Sequence, residues 1–124
     1  MEYIFDNERP IYIQLVEILR IEIISGKLEK GQKLLSVREL ALKMKVNPNT
    51  MQKALAELES KKLIYTERTN GKYVTEDEKL IEEVKRQLAK EKVNNYINSM
   101  QSIGISYEES IRYLQELGGK DGIS

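Results

Sequence analysis

Polar side chains that could pair with nucleic-acid bases lie along one predicted helix, over residues 48–61. Apolar residues recur there at the spacing of a single buried face. The side chains of Asn49, Gln52 and Lys53 are therefore expected on the outward side of the first two turns. Asparagine and glutamine amides can bond to base edges, and a lysine ammonium can reach phosphate or guanine. A solvated helix face that binds nothing has the same composition, and both interpretations stay open at this point.

Two further groups of residues could bind phosphate. Arg38 lies near the start of the preceding predicted helix, whose positive end would add to its attraction for an anion. The second group surrounds a predicted turn, where it could contact the DNA backbone or the minor groove. This group consists of Arg68, Asn70, Gly71 and Lys72. The alternatives are a surface salt bridge for Arg38 and a solvent-exposed turn for the second group.

The helices that must position these side chains are delimited by local signals. Residues 11–25 follow a proline with apolar residues at helical spacing, and Gly26 is suited to end the helix. A capping box at Ser36 and Glu39 begins the second helix, because each side chain can accept from the other residue's backbone N–H. This second helix is short, and the third begins only about three residues after it ends. Two short helices joined this tightly must cross steeply.

The third helix is followed by a predicted β-hairpin. Asn47 can cap the helix, with Pro48 at its first position. The apolar pattern then changes to a period of two over residues 63–67, and a second strand is predicted over 72–75. The dipeptide Asn70-Gly71 between them predicts a type I′ turn, in which both central residues have positive φ. This order of elements is typical of a winged helix-turn-helix.

The remaining chain predicts two more helices with unpartnered apolar faces. The first runs from Asp77 to about Met100, and a second capping box at Ser106 and Glu109 begins the last helix. Two helices alone have little core, so their apolar faces should bury against the winged domain or a second chain, and self-association is favoured. The residues expected in a dimer interface are Leu80, Val84, Leu88, Ile97, Ile111 and Leu114.

The predicted fold class is α+β, mainly α. A winged helix-turn-helix of three helices plus a β-hairpin is expected over residues 1–75, and a short two-helix dimerisation segment over 76–124. The net charge of zero hides a division along the chain: residues 27–75 hold 11 Lys/Arg and 5 Asp/Glu, whereas residues 76–124 hold 7 and 10. Phosphate binding requires a positive charge only on the contacting face.

The composition argues against catalysis. With 124 residues, the chain is too short for a DNA-binding domain joined to a full ligand-binding or enzymatic domain. It contains no histidine and no cysteine, which excludes imidazole acid–base chemistry, thiolate nucleophiles and most zinc sites. No enzyme activity, metal or cofactor is predicted. Without a signal sequence or an apolar run of membrane-spanning length, we expect a cytoplasmic protein.

These residues, taken in order, resemble the GntR family of bacterial regulators, and the short tail is similar to that of the YtrA subfamily. The resemblance spans about residues 10–75. It is carried by Pro10-Ile11-Tyr12, Gln14-Leu15, Gly26, Leu28, Gly31, Ser36-Val37-Arg38-Glu39-Leu40-Ala41, Val46-Asn47-Pro48-Asn49-Thr50, Ala54-Leu55, Leu58-Glu59 and Leu63-Ile64. Three positions depart from the family pattern, with Leu35 in place of a proline, and Lys45 and Thr69 each in place of a glycine.

The resemblance implies contacts to double-stranded DNA from the second helix, the third helix and the wing. Together with the outward-facing residues above, the predicted DNA-binding set is Ser36, Arg38, Asn47, Asn49, Thr50, Gln52, Lys53, Asn70, Gly71 and Lys72. The resulting hypothesis is a homodimeric, sequence-specific regulator, a repressor rather than an activator, on a pseudo-palindromic operator. The alternative is a winged-helix module that binds another protein. The sequence does not identify a small-molecule effector.

Overall fold

The computed structural model describes residues 3–119, which form five helices and one two-stranded antiparallel sheet. The elements in chain order are α1 (Ile11–Ile24), α2 (Val37–Met44), α3 (Pro48–Ser60), β1 (Ile64–Glu67), β2 (Gly71–Val74), α4 (Glu78–Ser102) and α5 (Tyr107–Leu117). This order confirms the predicted winged helix-turn-helix followed by two helices. The chain divides into two compact units, one ending at Lys85 and one beginning at Arg86.

The core of the first unit is built around α3, which packs against α1, α2 and β1. Leu15 of α1 and Met51 and Leu55 of α3 are completely buried. Each such side chain contributes about 1.5–3 kcal/mol to stability by leaving water. The apolar stripes predicted from helical spacing thus form one shared core.

The turn between β1 and β2 differs from the predicted type I′ turn. Glu67 pairs with Gly71, which leaves a loop of three residues, and the N–H of Asn70 donates to the carbonyl of Glu67 at 3.2 Å. Gly71 has a φ of 106°, but Asn70 is not among the described residues with positive φ. The prediction of two central residues with positive φ was therefore wrong. A three-residue loop needs positive φ only at the residue that follows the turn.

A third extended segment, which was not predicted from the sequence, joins the hairpin. The N–H of Leu34 donates to the carbonyl of Lys72 at 2.8 Å, and the N–H of Val74 donates to the carbonyl of Gln32 at 2.9 Å. Lys33 and Tyr73 form the isolated bridge between these bonds. The segment is too short to show an alternating pattern, so only its long-range pairing reveals it.

The capping box predicted at the start of α2 is present. The N–H of Glu39 donates to the Ser36 hydroxyl at 3.1 Å, and the N–H of Ser36 donates to the Glu39 carboxylate at 2.9 Å. At the other end, Lys45 adopts the left-handed conformation with φ 57° and ψ 48°. A lysine therefore occupies a backbone conformation that glycine adopts without steric cost.

The second unit contains the end of α4, from residue 86, and α5. Gly104, with a φ of 87°, lies in the connection between the two helices. The predicted capping box begins α5, since the N–H of Glu109 donates to the Ser106 hydroxyl at 3.1 Å. The Tyr96 hydroxyl donates to the carbonyl of Ser110 at 2.7 Å and links the helices.

The start of α4 lies in the first unit. The N–H of Leu80 donates to the Asp77 carboxylate at 3.1 Å, Ile81 is buried, and Glu78 forms an ion pair with Lys30. The compact part of the first unit thus continues beyond residue 75. A functional division into residues 1–75 and 76–124 stays a prediction.

We expect Lys45→Gly to increase the free energy of unfolding by about 0.5–1 kcal/mol. The left-handed conformation costs an ordinary residue about 1–2 kcal/mol, and the greater freedom of glycine in the unfolded chain offsets about 0.4–1 kcal/mol of that gain. Urea denaturation measures the difference. The matched control is Lys43→Gly in the last turn of α2, which should lose about 1 kcal/mol. Equal destabilisation by both changes would contradict the prediction.

We also expect the contribution of Glu39 to stability to depend on pH. Hydrogen bonds from the backbone and then the side chain of Ser36, with the nearby charge of Lys33, hold the pKa of Glu39 below its ordinary value of 4.5. The stabilisation is therefore complete above that value and is lost as the pH falls through the lower pKa of the folded state.

Urea midpoints of the wild type and Glu39→Gln at about pH 6 and about pH 3 measure this dependence. The advantage of the wild type should shrink at the lower pH, as the Glu39 carboxylate takes up a proton. Glu57→Gln, at an exposed position of α3, controls for removal of one acidic group. An advantage that is equal at both pH values would show that the Glu39 charge does not support the cap.

Candidate nucleic-acid interface

The amino-terminal half of α3 presents a polar face whose side chains are either uncharged or basic. The Asn47 side chain caps the helix by accepting from the N–H of Asn49 at 2.7 Å. Asn49, Gln52 and Lys53 are exposed, and Thr50 is half-buried. The carboxylates of α3 occur only in its second half. A DNA backbone approaching the first half would therefore meet no repelling charge from this helix.

Lys53 lies against an aromatic ring that was not among the predicted DNA-binding residues. Its ammonium nitrogen is 3.9 Å from the ring centroid of Tyr12, in the first turn of α1. The two residues are 41 positions apart in the chain. Only the packing of α1 on α3 brings them together, so no local pattern could have revealed the pair.

The predicted residues at the start of α2 have different surroundings. The Ser36 hydroxyl is occupied as the helix cap, and the Glu39 carboxylate is directed to the backbone of Ser36. Arg38 is exposed, and within residues 3–119 it forms no ion pair. The salt bridge considered as an alternative for Arg38 is thus not seen in this part of the chain.

The wing residues do not form a single basic cluster. Asn70 and Gly71 are exposed at the hairpin tip, where the Asn70 amide donates to the Glu67 carboxylate at 3.4 Å. Lys72 is instead tied to α3: its ammonium lies 3.0 Å from the Glu59 carboxylate, and its side chain is only 19% exposed. Its part in DNA binding stays a prediction.

The same ion pair lowers the pKa of Glu59. Hydrogen bonds from Lys72, and then from the Thr66 hydroxyl, hold the pKa of Glu59 below its ordinary value. The Lys72 ammonium also donates to the Thr66 hydroxyl at 2.9 Å. This network fastens the hairpin to the second half of α3.

The residues predicted for dimerisation are unevenly covered within one chain. Leu80, Val84, Leu88 and Ile97 of α4 are half-buried. On α5, Ile111 is 37% exposed and Leu114 is 51% exposed. Within residues 3–119, apolar surface on α5 therefore stays exposed.

The described part of the chain contains neither a metal-binding cluster nor a membrane-spanning helix. Among residues 3–119, no group of three or more acidic side chains is placed to hold a metal ion. None of the helices described there is long and apolar enough to cross a membrane.

Comparison with known proteins agrees with this geometry. Residues 11–74 match the family described as bacterial regulatory proteins, gntR family. The HTH-type transcriptional repressor YtrA of Bacillus subtilis is 35% identical over 120 residues, which cover 92% of this chain and 92% of that protein. The structure of a GntR family transcriptional regulator from Listeria monocytogenes is 48% identical, with a TM-score of 0.83, and the similarity covers 90% of this chain and 97% of that one.

A further solved structure contains DNA. The AraR DNA-binding domain in complex with operator ORX1 is 28% identical, with a TM-score of 0.52, and the similarity covers 60% of this chain and 92% of that one. The family match and the end-to-end similarity to YtrA lead to one conclusion: the chain belongs to the gntR family of bacterial regulatory proteins, as a transcriptional regulator and not an enzyme.

Proposed function

We propose that the chain binds a specific double-stranded DNA operator and represses transcription as a cytoplasmic homodimer. The observation that carries the proposal is the outward face of α3, where Asn49 and Gln52 are exposed beside Lys53. Amide side chains on a helix can form paired hydrogen bonds with adenine in the major groove. The lysine supplies attraction to phosphate that does not depend on sequence.

The surroundings of this face support the same role. Arg38, exposed at the start of α2, is placed at the positive end of that helix, where attraction for phosphate is strengthened. The AraR domain, whose structure includes an operator, shares the fold of the first unit. By this similarity, α3 would enter the major groove while α2 crosses the backbone.

The second unit supports dimerisation. Among residues 86–119 the single buried residue is Ser110, and the exposed apolar side chains include Leu114 and Leu117. Two helices without a buried apolar side chain have little to stabilise them alone, whereas a second copy would cover the exposed faces. A two-fold dimer would present two α3 helices to half-sites about 34–36 Å apart, or a multiple of that distance.

Repression follows from the simplest mode of action. Occluding a promoter requires only tight binding, with no contact to the transcription machinery. YtrA, similar over nearly its whole length, is itself named a transcriptional repressor. A winged-helix module that binds a protein partner is the second candidate, and the following experiment separates the two.

Titration with operator DNA, selected from fragments of the source genome, tests the proposal when it is repeated at two salt concentrations. If the protein makes about 6–10 phosphate contacts, affinity should fall about 10³- to 10⁵-fold between about 50 and 200 mM salt, because bound counterions are released. Arg38→Ala should weaken operator binding by about 1–3 kcal/mol while the protein stays folded.

Gln52→Ala is the comparison variant in the same titration. It removes a side chain proposed to read bases, so it should relax preference among operator variants more than it weakens nonspecific binding. Absence of salt-dependent DNA binding would favour the protein-interaction module. If the Arg38→Ala variant is folded and binds with wild-type affinity, Arg38 is not part of the interface.

Leu114→Glu should shift the protein from dimer toward monomer. The side chain is 51% exposed in one chain, so the substitution removes no buried side chain but places a charge in the proposed interface. Sedimentation measures the mass, and Gln115→Glu, at the adjacent exposed position, is the matched control. Operator affinity should fall with the mass, since the second half-site contact loses its high effective concentration. An unchanged dimer would place the interface elsewhere.

A further inference from the structure

The contact between Lys53 and Tyr12 joins the proposed DNA-binding face of α3 to α1. The Lys53 ammonium lies 3.9 Å from the centroid of the Tyr12 ring. Tyr12 is half-buried where α1 packs against α3, whereas Lys53 is exposed. The Tyr12 ring is therefore held in place by the packing of α1 on α3. The Lys53 side chain is not packed in this way, and its contact is with the ring.

An aromatic ring holds a cation without cancelling its charge. The negative face of the ring attracts the ammonium, but the pair keeps a net charge of one. Within residues 3–119, Lys53 forms no ion pair, whereas Lys72 is bound to the Glu59 carboxylate. Of these two lysines, Lys53 is the one whose charge stays available to a phosphate.

A free lysine side chain loses rotamer freedom when it binds, and this loss weakens the contact. A lysine already held on a ring has lost part of that freedom before the phosphate arrives. The location of the ring also matters, since it directs the ammonium toward the α1 side of α3. If α3 enters the major groove as proposed, the ammonium would meet the flanking backbone there, whereas Gln52 would face the bases.

We infer that Tyr12 is a positioning residue for DNA binding, which holds the Lys53 ammonium in place for a backbone phosphate. This role rests on the proposed function of α3. It predicts that Tyr12 affects all DNA sequences alike, because the contact that it supports carries no sequence information. It also predicts that the effect of Tyr12 depends on the presence of Lys53.

The test is a double-mutant cycle in the full-length protein, with Tyr12→Leu, Lys53→Met and the combined variant. Tyr12→Leu should weaken binding about two- to five-fold on operator and nonspecific duplex alike, the factor that corresponds to an exposed cation–aromatic contact. Lys53→Met should reduce the slope of log affinity against log salt by about one. The combined variant should bind no more weakly than Lys53→Met alone.

Tyr12→Phe is the matched control, since it keeps the ring and removes only the hydroxyl. It should retain wild-type affinity and the wild-type salt slope. If Tyr12 served only to pack α1, its loss would weaken binding by the same factor with or without Lys53. That additive result would overturn the inference, and so would wild-type affinity in Tyr12→Leu.

A measurement on the wild type covers the case in which Tyr12→Leu does not fold. Protons on the terminal methylene of Lys53 should be shifted upfield in the NMR spectrum by the ring current of Tyr12. Ordinary lysine shifts there would overturn the inference. If the wild type bound no DNA, the proposed function itself would fail. If it bound DNA but showed ordinary Lys53 shifts, only the role of Tyr12 would fail.

Discussion

The burial of one face of α3 determines the geometry of the first unit. Met51 and Leu55 are completely enclosed by neighbouring elements. Rotating α3 by one residue position, about 100°, would bring these side chains toward water at about 1.5–3 kcal/mol each. The rotation of the helix is thereby fixed, and so is the set of side chains that faces outward. The packing of the core therefore determines that Asn49 and Gln52 face outward.

Two lysines show how surroundings determine what a charge can do. Lys72 is fastened to Glu59 and Thr66, where its charge stabilises the link between hairpin and helix. Lys53 lies on an aromatic ring and keeps its charge for another partner. From composition alone both belong to the same basic segment. The difference arises because the register of β1 and β2 directs Lys72 toward α3, where a carboxylate is in reach.

Features that depend on adjacent residues could be predicted from the sequence, and features that depend on distant ones could not. The capping boxes at Ser36 and Ser106 were predicted because both partners lie within three residues. The turn at Asn70-Gly71 was predicted wrongly, since its type follows from the pairing of Glu67 with Gly71 and not from the dipeptide. The third extended segment and the Tyr12–Lys53 contact were missed for the same reason.

For the candidate site, the sequence indicated which side chains lie outward on α3 but not what each of them touches. Helical periodicity gives direction around the axis, so the exposure of Asn49 and Gln52 followed from the apolar stripe. The attachment of Lys72 to Glu59 needs the relative positions of a strand and a helix. Periodicity within one element contains no information about such positions.

In the proposed homodimer, the sparse interior of the second unit would make its order depend on protein concentration. Within residues 86–119 only Ser110 is buried, so for a homodimer most of the apolar burial of this unit would take place between chains. Folding of the tail and association would then be one equilibrium, whose position depends on protein concentration. The amount of regulator in the cell would set both the fraction of ordered tails and the fraction of molecules able to hold two half-sites at once. Operator occupancy would thus rise more than in proportion to the amount of regulator.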